Sequence, residues 1–156
     1  MITAYRLVHR EALAESPDPF RPRPHANRWN SADIQVAYTA ESVALAAMEI
    51  MAHLAPIGRS MRGYQLFSIS FGANDVEDVL TQAPGLDPRD VEATTAYGDA
   101  WAQARRSLAL RVRSVVVPLS CNYIINPAHP HMGDTIVEVH GEFRFDERIV
   151  RLVRRS

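Results

Sequence analysis

Residues 35–54 read QVAYTAESVALAAMEIMAHL, and the step from strand to helix inside that stretch decides the fold class. Gln35 to Thr39 reads as a short strand. Ser42 to Leu54 reads as a helix, rich in Ala, Leu and Met, without Gly or Pro, and stopping before Pro56 and Gly58. Val43, Leu45, Met48, Ile50, Met51 and Leu54, with alanines between them, make this helix apolar almost all round. Such a helix is buried. Two polar residues interrupt it: Glu49 and His53, four apart and therefore on one face.

Working outward, Ile2 to Val8 reads as a strand. Residues 16–27 hold Pro17, Pro19, Pro22 and Pro24, a density that blocks helix and central strand and predicts a loop. Tyr64 to Phe71 alternates apolar and polar residues and reads as a strand. Asp75 to Leu80 fits a short helix. Asp87-Pro88 reads as a helix start, with Asp as N-cap and Pro at the first helical position, for a helix running to about Arg106 and interrupted by Gly98. Ser114 to Val117 reads as a buried strand, and Asn122 to Asn126 continues extended. Pro127 to Pro130 is turn-rich. Thr135 to Val139 and Glu142 to Phe145 predict a hairpin around His140-Gly141, and Ile149 to Val153 a last edge strand. Strands and helices mix without a regular βαβ rhythm. The expected fold is α+β: one domain spanning residues 1–156, a mixed sheet with flanking helices.

Composition bounds the chemistry. The chain has 156 residues, 47% hydrophobic and 22% charged, which suits one globular domain. Its net charge of −1 gives no reason to expect direct binding to nucleic acid or an anionic membrane. All 17 basic residues are arginine, so Schiff-base chemistry and a P-loop lysine are excluded, and arginine must carry any phosphate contact. Cys121 is the one cysteine, which rules out an internal disulfide framework. The opening residues lack the pattern of a secretory signal, no apolar run approaches a membrane span, and a cytoplasmic protein is expected.

The chain holds no glycine-rich dinucleotide fingerprint, P-loop, zincin motif or nucleophile elbow. Glu49 is the most informative residue. A carboxylate on a mostly buried helix is costly unless it is paired or faces a polar cavity. It is either a structural partner of an arginine or of His53, or a cleft carboxylate with a chemical role. Asn27-Arg28-Trp29-Asn30 offers a second candidate. Either Arg28 contacts an anion, or the loop packs Trp29 into the core and leaves Arg28 solvated. Tyr38 ends its strand as core or as a ring to stack on. Ser114 caps a strand end or lines a cleft. His129 and His131 are weak evidence for a metal without a third ligand, so no metal is expected. Cys121 reads as an inert buried thiol.

As an ordered set these pieces resemble the RES-domain family. They are Tyr5-Arg6, Arg28-Trp29-Asn30, Tyr38-Thr39-Ala40-Glu41-Ser42, Ala47-Met48-Glu49 with His53-Leu54, Gly98 with Trp101, Ser114-Val115-Val116-Val117-Pro118, Asn122-Tyr123 and Asn126-Pro127-Ala128-His129-Pro130. The likeness runs from residue 5 to about residue 150. Arg28, Glu49 and Ser114 stand where the arginine, glutamate and serine that name the family should. The resemblance implies a toxin of a bacterial toxin–antitoxin pair with an ADP-ribosyltransferase-like core. It implies NAD as the consumed substrate and an Xre-like antitoxin as partner, occluding the active site.

The implied roles are specific. Arg6 and Arg28 would hold the pyrophosphate or a ribose. Tyr38 would stack near the nicotinamide. Glu49 would bond the adjacent ribose and steady the positive charge that develops there. Ser114 would help place the ribose or nicotinamide, and His53 would orient Glu49. Two positions depart from the family pattern: Ala26-Asn27 stands where a glycine usually precedes Arg-Trp, and Arg113 where proline usually precedes the serine. Three functions follow: transfer of ADP-ribose to water or phosphate, its transfer to a side chain of a specific protein, or a non-catalytic interaction module.

Overall fold

In the computed structural model, which describes residues 1–21, 25–54 and 60–155, the strands form one sheet. In chain order the elements are β1 (Ile2–His9), α1 (Arg10–Glu15), β2 (Ala37–Ala40), α2 (Val43–Leu54), β3 (Tyr64–Phe71), β4 (Val76–Asp78), α3 (Val79–Gln82), α4 (Val91–Ala104), β5 (Ala109–Arg113), β6 (Cys121–Ile125), β7 (Ile136–Phe143) and α5 (Glu147–Arg155). The seven-stranded sheet runs β4-β5-β6-β2-β1-β3-β7. β4 and β5 pair in parallel and the other pairs are antiparallel, so the expected α+β class with a mixed sheet holds. Among the described residues no helix is long and apolar enough to cross a membrane.

Alternation along the strands builds two faces. Ala4, Val8, Phe67, Ile69, Tyr123 and Ile125 pack on one face, where Phe20 from the proline-rich loop is fully buried among them. The other face carries two clusters. In one, α2 and α5 cover β1 and β3 through Leu45, Ala46, Leu54, Leu7 and Val150. In the other, α4 covers β5 and β6 through Trp101, Leu110, Val112 and Ile124, joined by Trp29 and Val36. Between these clusters the sheet is weakly stitched. β1 and β2 pair only at Tyr5 and Ala40, and the Arg6 guanidinium bridges onward to the carbonyls of Tyr38 (2.8 Å) and Pro19 (2.9 Å).

Several expectations need correction. The strand is Ala109–Arg113 rather than Ser114 to Val117. Ser114 instead ends it, because its hydroxyl oxygen accepts the Val116 and Val117 N–H groups (both 3.0 Å) and folds the β5–β6 connection. The expected hairpin after Thr135 is one continuous strand, β7, paired with β3 through a bulge at His140, beside Gly141, whose φ of 91° favours glycine. Ile149 to Val153 lies in helix α5, with Asp146 bonding the N–H groups of Arg148, Ile149 and Val150 at its start.

The helix expected from Pro88 begins at Val91, capped by Asp90, whose side chain accepts the Ala93 N–H. Asp87 caps only the preceding turn. The short helix expected over 75–80 is split into strand β4 and helix α3. α1 was not anticipated. Parts of the proline-rich loop, and Pro56 and Gly58 after α2, lie outside the described residues.

Candidate active site

A cleft of about 490 Å³ opens between the two clusters, within the roughly 300–1,000 Å³ usual for small-molecule sites. Leu7, Ala40 and Ala46 form one wall and Trp29, Val36 and Val112 the other. Arg6, Arg28, Tyr38, Glu49 and His53 all line it, so five of the six residues singled out in the sequence meet in one space.

Ser114 is the sixth, and it stands behind Glu49 rather than in the cleft wall. It is buried, and its hydroxyl donates to Glu49 Oε1 at 2.7 Å. The hydrogen bond places Ser114 one residue back from the cleft, against the carboxylate of Glu49. Asn122 Nδ2 donates to the same Oε1 at 2.7 Å. Glu49 Oε2 takes no hydrogen bond among the described residues. The helix that presents it starts at Ser42, whose hydroxyl caps the Leu45 N–H. Neither His53 nor an arginine pairs with Glu49 among the described residues, so the carboxylate is held by neutral donors at one oxygen. His53 is exposed one turn away and lines the cleft on its own account.

The Arg28 platform is more rigid than a loop of polar residues suggests. Asn27 and Asn30 close a tight turn through paired backbone bonds of 2.9 and 3.2 Å. Buried Asn30 gives its amide to the carbonyls of His25, Ser31 and Ile34. The Arg28 carbonyl accepts the hydroxyls of Thr94 (2.6 Å) and Thr95 (3.1 Å) from α4. Gly98 lets α4 come this close: a Cβ there would lie 1.8 Å from the Trp29 carbonyl oxygen. One Arg28 Nη donates to the Pro88 carbonyl at 3.0 Å, and its other guanidinium N–H groups make no hydrogen bond among the described residues. Asn27 has no left-handed backbone, so the position needs no glycine; its side chain accepts the Arg28 N–H at 2.8 Å.

Tyr38 is pinned at its far end. Its hydroxyl donates to Asn30 Oδ1 (2.6 Å) and accepts the Trp29 N–H (3.1 Å). Burial pushes that hydroxyl far above the usual tyrosine range, so it stays neutral and the ring keeps one orientation in the cleft wall. Arg113 is exposed at the end of β5 and also lines the cleft. Sequence reading missed Asn122 as a site residue, although a polar residue at an inward register position of a central strand is a usable signal. Outside the cleft, His131 Nδ1 bonds Asp75 at 2.7 Å and His129 caps the short helical turn Pro130–Asp134. Burial pushes the Cys121 thiol up, which keeps it protonated and unreactive.

The RES domain family model matches residues 3–146. The chain belongs to the RES-domain family. Relatives of this RES-domain chain are named as toxins. It is 32% identical over 130 residues to the Prs ADP-ribosylating toxin of Sphingobium sp. (strain YBL2), covering 80% of each chain. It is 30% identical over 149 residues to Toxin Res of Yersinia enterocolitica, covering 93% of this chain and 97% of that one. Its fold is similar to that of a chain in the M. tuberculosis MbcT–MbcA toxin–antitoxin complex, with a TM-score of 0.69 and 16% identity over 99% of this chain and 89% of the other.

Proposed function

We propose that this RES-domain chain is the toxin of a toxin–antitoxin pair, and that it cleaves the nicotinamide–ribose bond of NAD and passes ADP-ribose to water or phosphate. The observation that carries the reading is the Glu49 carboxylate, clamped at Oε1 by Ser114 and Asn122 and without a hydrogen bond at Oε2 among the described residues, on the wall of a cleft that also holds Arg6, Arg28 and Arg113. Nicotinamide leaves as a neutral molecule, so the C1′–N bond breaks with little acid help. The electron pair goes to nicotinamide, and positive charge gathers on the ribose. A fixed carboxylate that accepts a ribose hydroxyl stabilises that charge. The acceptor oxygen then bonds C1′ and loses its proton. Arg6 and Arg28 supply the cationic side for the pyrophosphate, and the fixed Tyr38 ring offers a stacking face for nicotinamide. No residue of this scheme needs a metal or a lysine.

A second reading keeps the same bond cleavage and hands ADP-ribose to a side chain of one cellular protein. The relative named for ADP-ribosylating Prs favours it. The loop around Ser16–Asn27 and the segment Pro127–Asp134 are where an acceptor would be chosen. An Xre-like antitoxin that covers the cleft completes the proposal, and the cytoplasm is the compartment where NAD depletion arrests growth.

The test is incubation of the purified chain with NAD, with and without phosphate and with cell lysate, followed by mass spectrometry. Free nicotinamide with matching ADP-ribose or its 1″-phosphate supports the first reading. Slow release with ADP-ribose on one lysate protein supports the second. Absence of nicotinamide from a folded, antitoxin-free sample under every condition overturns both.

A further inference from the structure

Asn122 lies on β6, opposite Ala40 of β2 and Val112 of β5, and lines the cleft with both. Its two amide atoms are treated unequally. Nδ2 donates to Glu49 Oε1 at 2.7 Å. Oδ1 is sealed from solvent and takes no hydrogen bond among the described residues. Buried polar atoms are nearly always paired, and an unpaired one is costly. Among the described residues the side chain makes its hydrogen bond through its N–H alone. Reversing it would set Oδ1 against Glu49 Oε1, two acceptors at 2.7 Å, so the orientation is fixed by Glu49 itself.

Two donors at one oxygen do what one cannot. The Ser114 hydroxyl is locked by its own loop, giving its proton to Glu49 and accepting from Val116 and Val117. With that contact alone the carboxylate still swings about Oε1. Asn122 approaches from a different element, a central strand, and removes that freedom. Resting on the proposed cleavage of NAD, we infer that Asn122 is a positioning residue for the reaction: its amide N–H fixes Glu49 Oε1 so that Oε2 meets the ribose in one orientation. It acts through Glu49.

The experiment compares nicotinamide release by the unmodified chain, Asn122→Ala and Asn122→Asp, against NAD concentration and from about pH 5 to 9, with thermal unfolding of each. Asn122→Ala should lower kcat about ten- to hundredfold, the range for a lost hydrogen bond to a charged group, with KM changed by no more than about threefold. Asn122→Asp keeps the shape. Its new carboxyl lies against Glu49, and like charge holds its pKa up. While protonated it still donates to Oε1. As pH rises the proton is lost, the donor goes with it, and the rate falls.

The other groups facing this place are His53 on α2, Tyr5 and Arg6 on β1, Tyr38 on β2, Arg28 and His25 from the loop, and Arg113 on β5. All are present in the unmodified chain, so an alkaline fall seen only in Asn122→Asp belongs to that position. A kcat of Asn122→Ala within about threefold of the unmodified chain, or a pH profile of Asn122→Asp that follows it, overturns the inference and leaves the NAD reading intact. Should Asn122→Ala not fold, the near-isosteric Asp variant decides alone. An unmodified chain that releases no nicotinamide with any acceptor overturns the NAD reading, and this inference falls with it.

Discussion

Glu49→Gln keeps an acceptor oxygen for both hydrogen bonds that hold the side chain and removes only its charge. The fold should therefore survive while the developing positive charge on ribose loses its stabiliser. Nicotinamide release should fall a hundredfold or more, about 3 kcal/mol of barrier, with a melting temperature within a few degrees of the unmodified chain. Ser114→Ala should behave differently. It removes one donor to Glu49 and also strands the N–H groups of Val116 and Val117, so it should lose both rate and about 1–2 kcal/mol of stability. Rate assays paired with denaturant titration check both. A Glu49→Gln protein that releases no nicotinamide yet remains as toxic as the unmodified chain would restore the non-catalytic module as the best reading.

At the scale of elements, the decisive contact is helix α4 against the turn at Arg28–Asn30. Gly98→Ala would drive a methyl group to 1.8 Å from the Trp29 carbonyl oxygen and 2.8 Å from its carbonyl carbon, both backbone atoms that cannot swing aside. The helix and turn must part, costing about 1–3 kcal/mol as overpacking usually does, and Arg28 moves with the turn. Denaturant midpoints should fall and NAD affinity should weaken together. A variant that loses stability yet binds NAD normally would show that Arg28 is not a substrate contact.

The same contact explains what the sequence could and could not tell. Gly98 looked like a flaw in a helix, because the partner that requires it lies about seventy residues away. Glu49 on an apolar helix, and Arg28 beside a tryptophan, were legible because burying charge is expensive wherever the chain goes. Ser114 was found as a residue but misplaced as strand, since a run of valines hides a turn made by one hydroxyl. The segment after Asp146 was misread because Ile149, Val150 and Val153 fit a helical stripe as well as a short strand, and its cap decides between them. Asn122 carried no signal of its own partner, which only strand register supplies.

The whole molecule divides where β1 and β2 meet at a single residue pair, and the cleft draws its walls from the cluster on each side. A ligand filling the cleft therefore ties two packed halves together and should raise global stability by mass action, about 2.7 kcal/mol at a hundred times Kd. For a chain of this length that is a rise of roughly 5–10 °C in melting temperature with ADP-ribose, measurable by differential scanning fluorimetry. Arg28→Ala should lose most of the rise, because its guanidinium N–H groups lie on the cleft wall. Glu49→Gln should keep it, since ADP-ribose carries no nicotinamide and develops no cation. If Glu49→Gln loses the rise along with Arg28→Ala, Glu49 holds the ground state and the electrostatic account of its role fails. If it keeps the rise while nicotinamide release collapses, its contribution is made where the bond breaks.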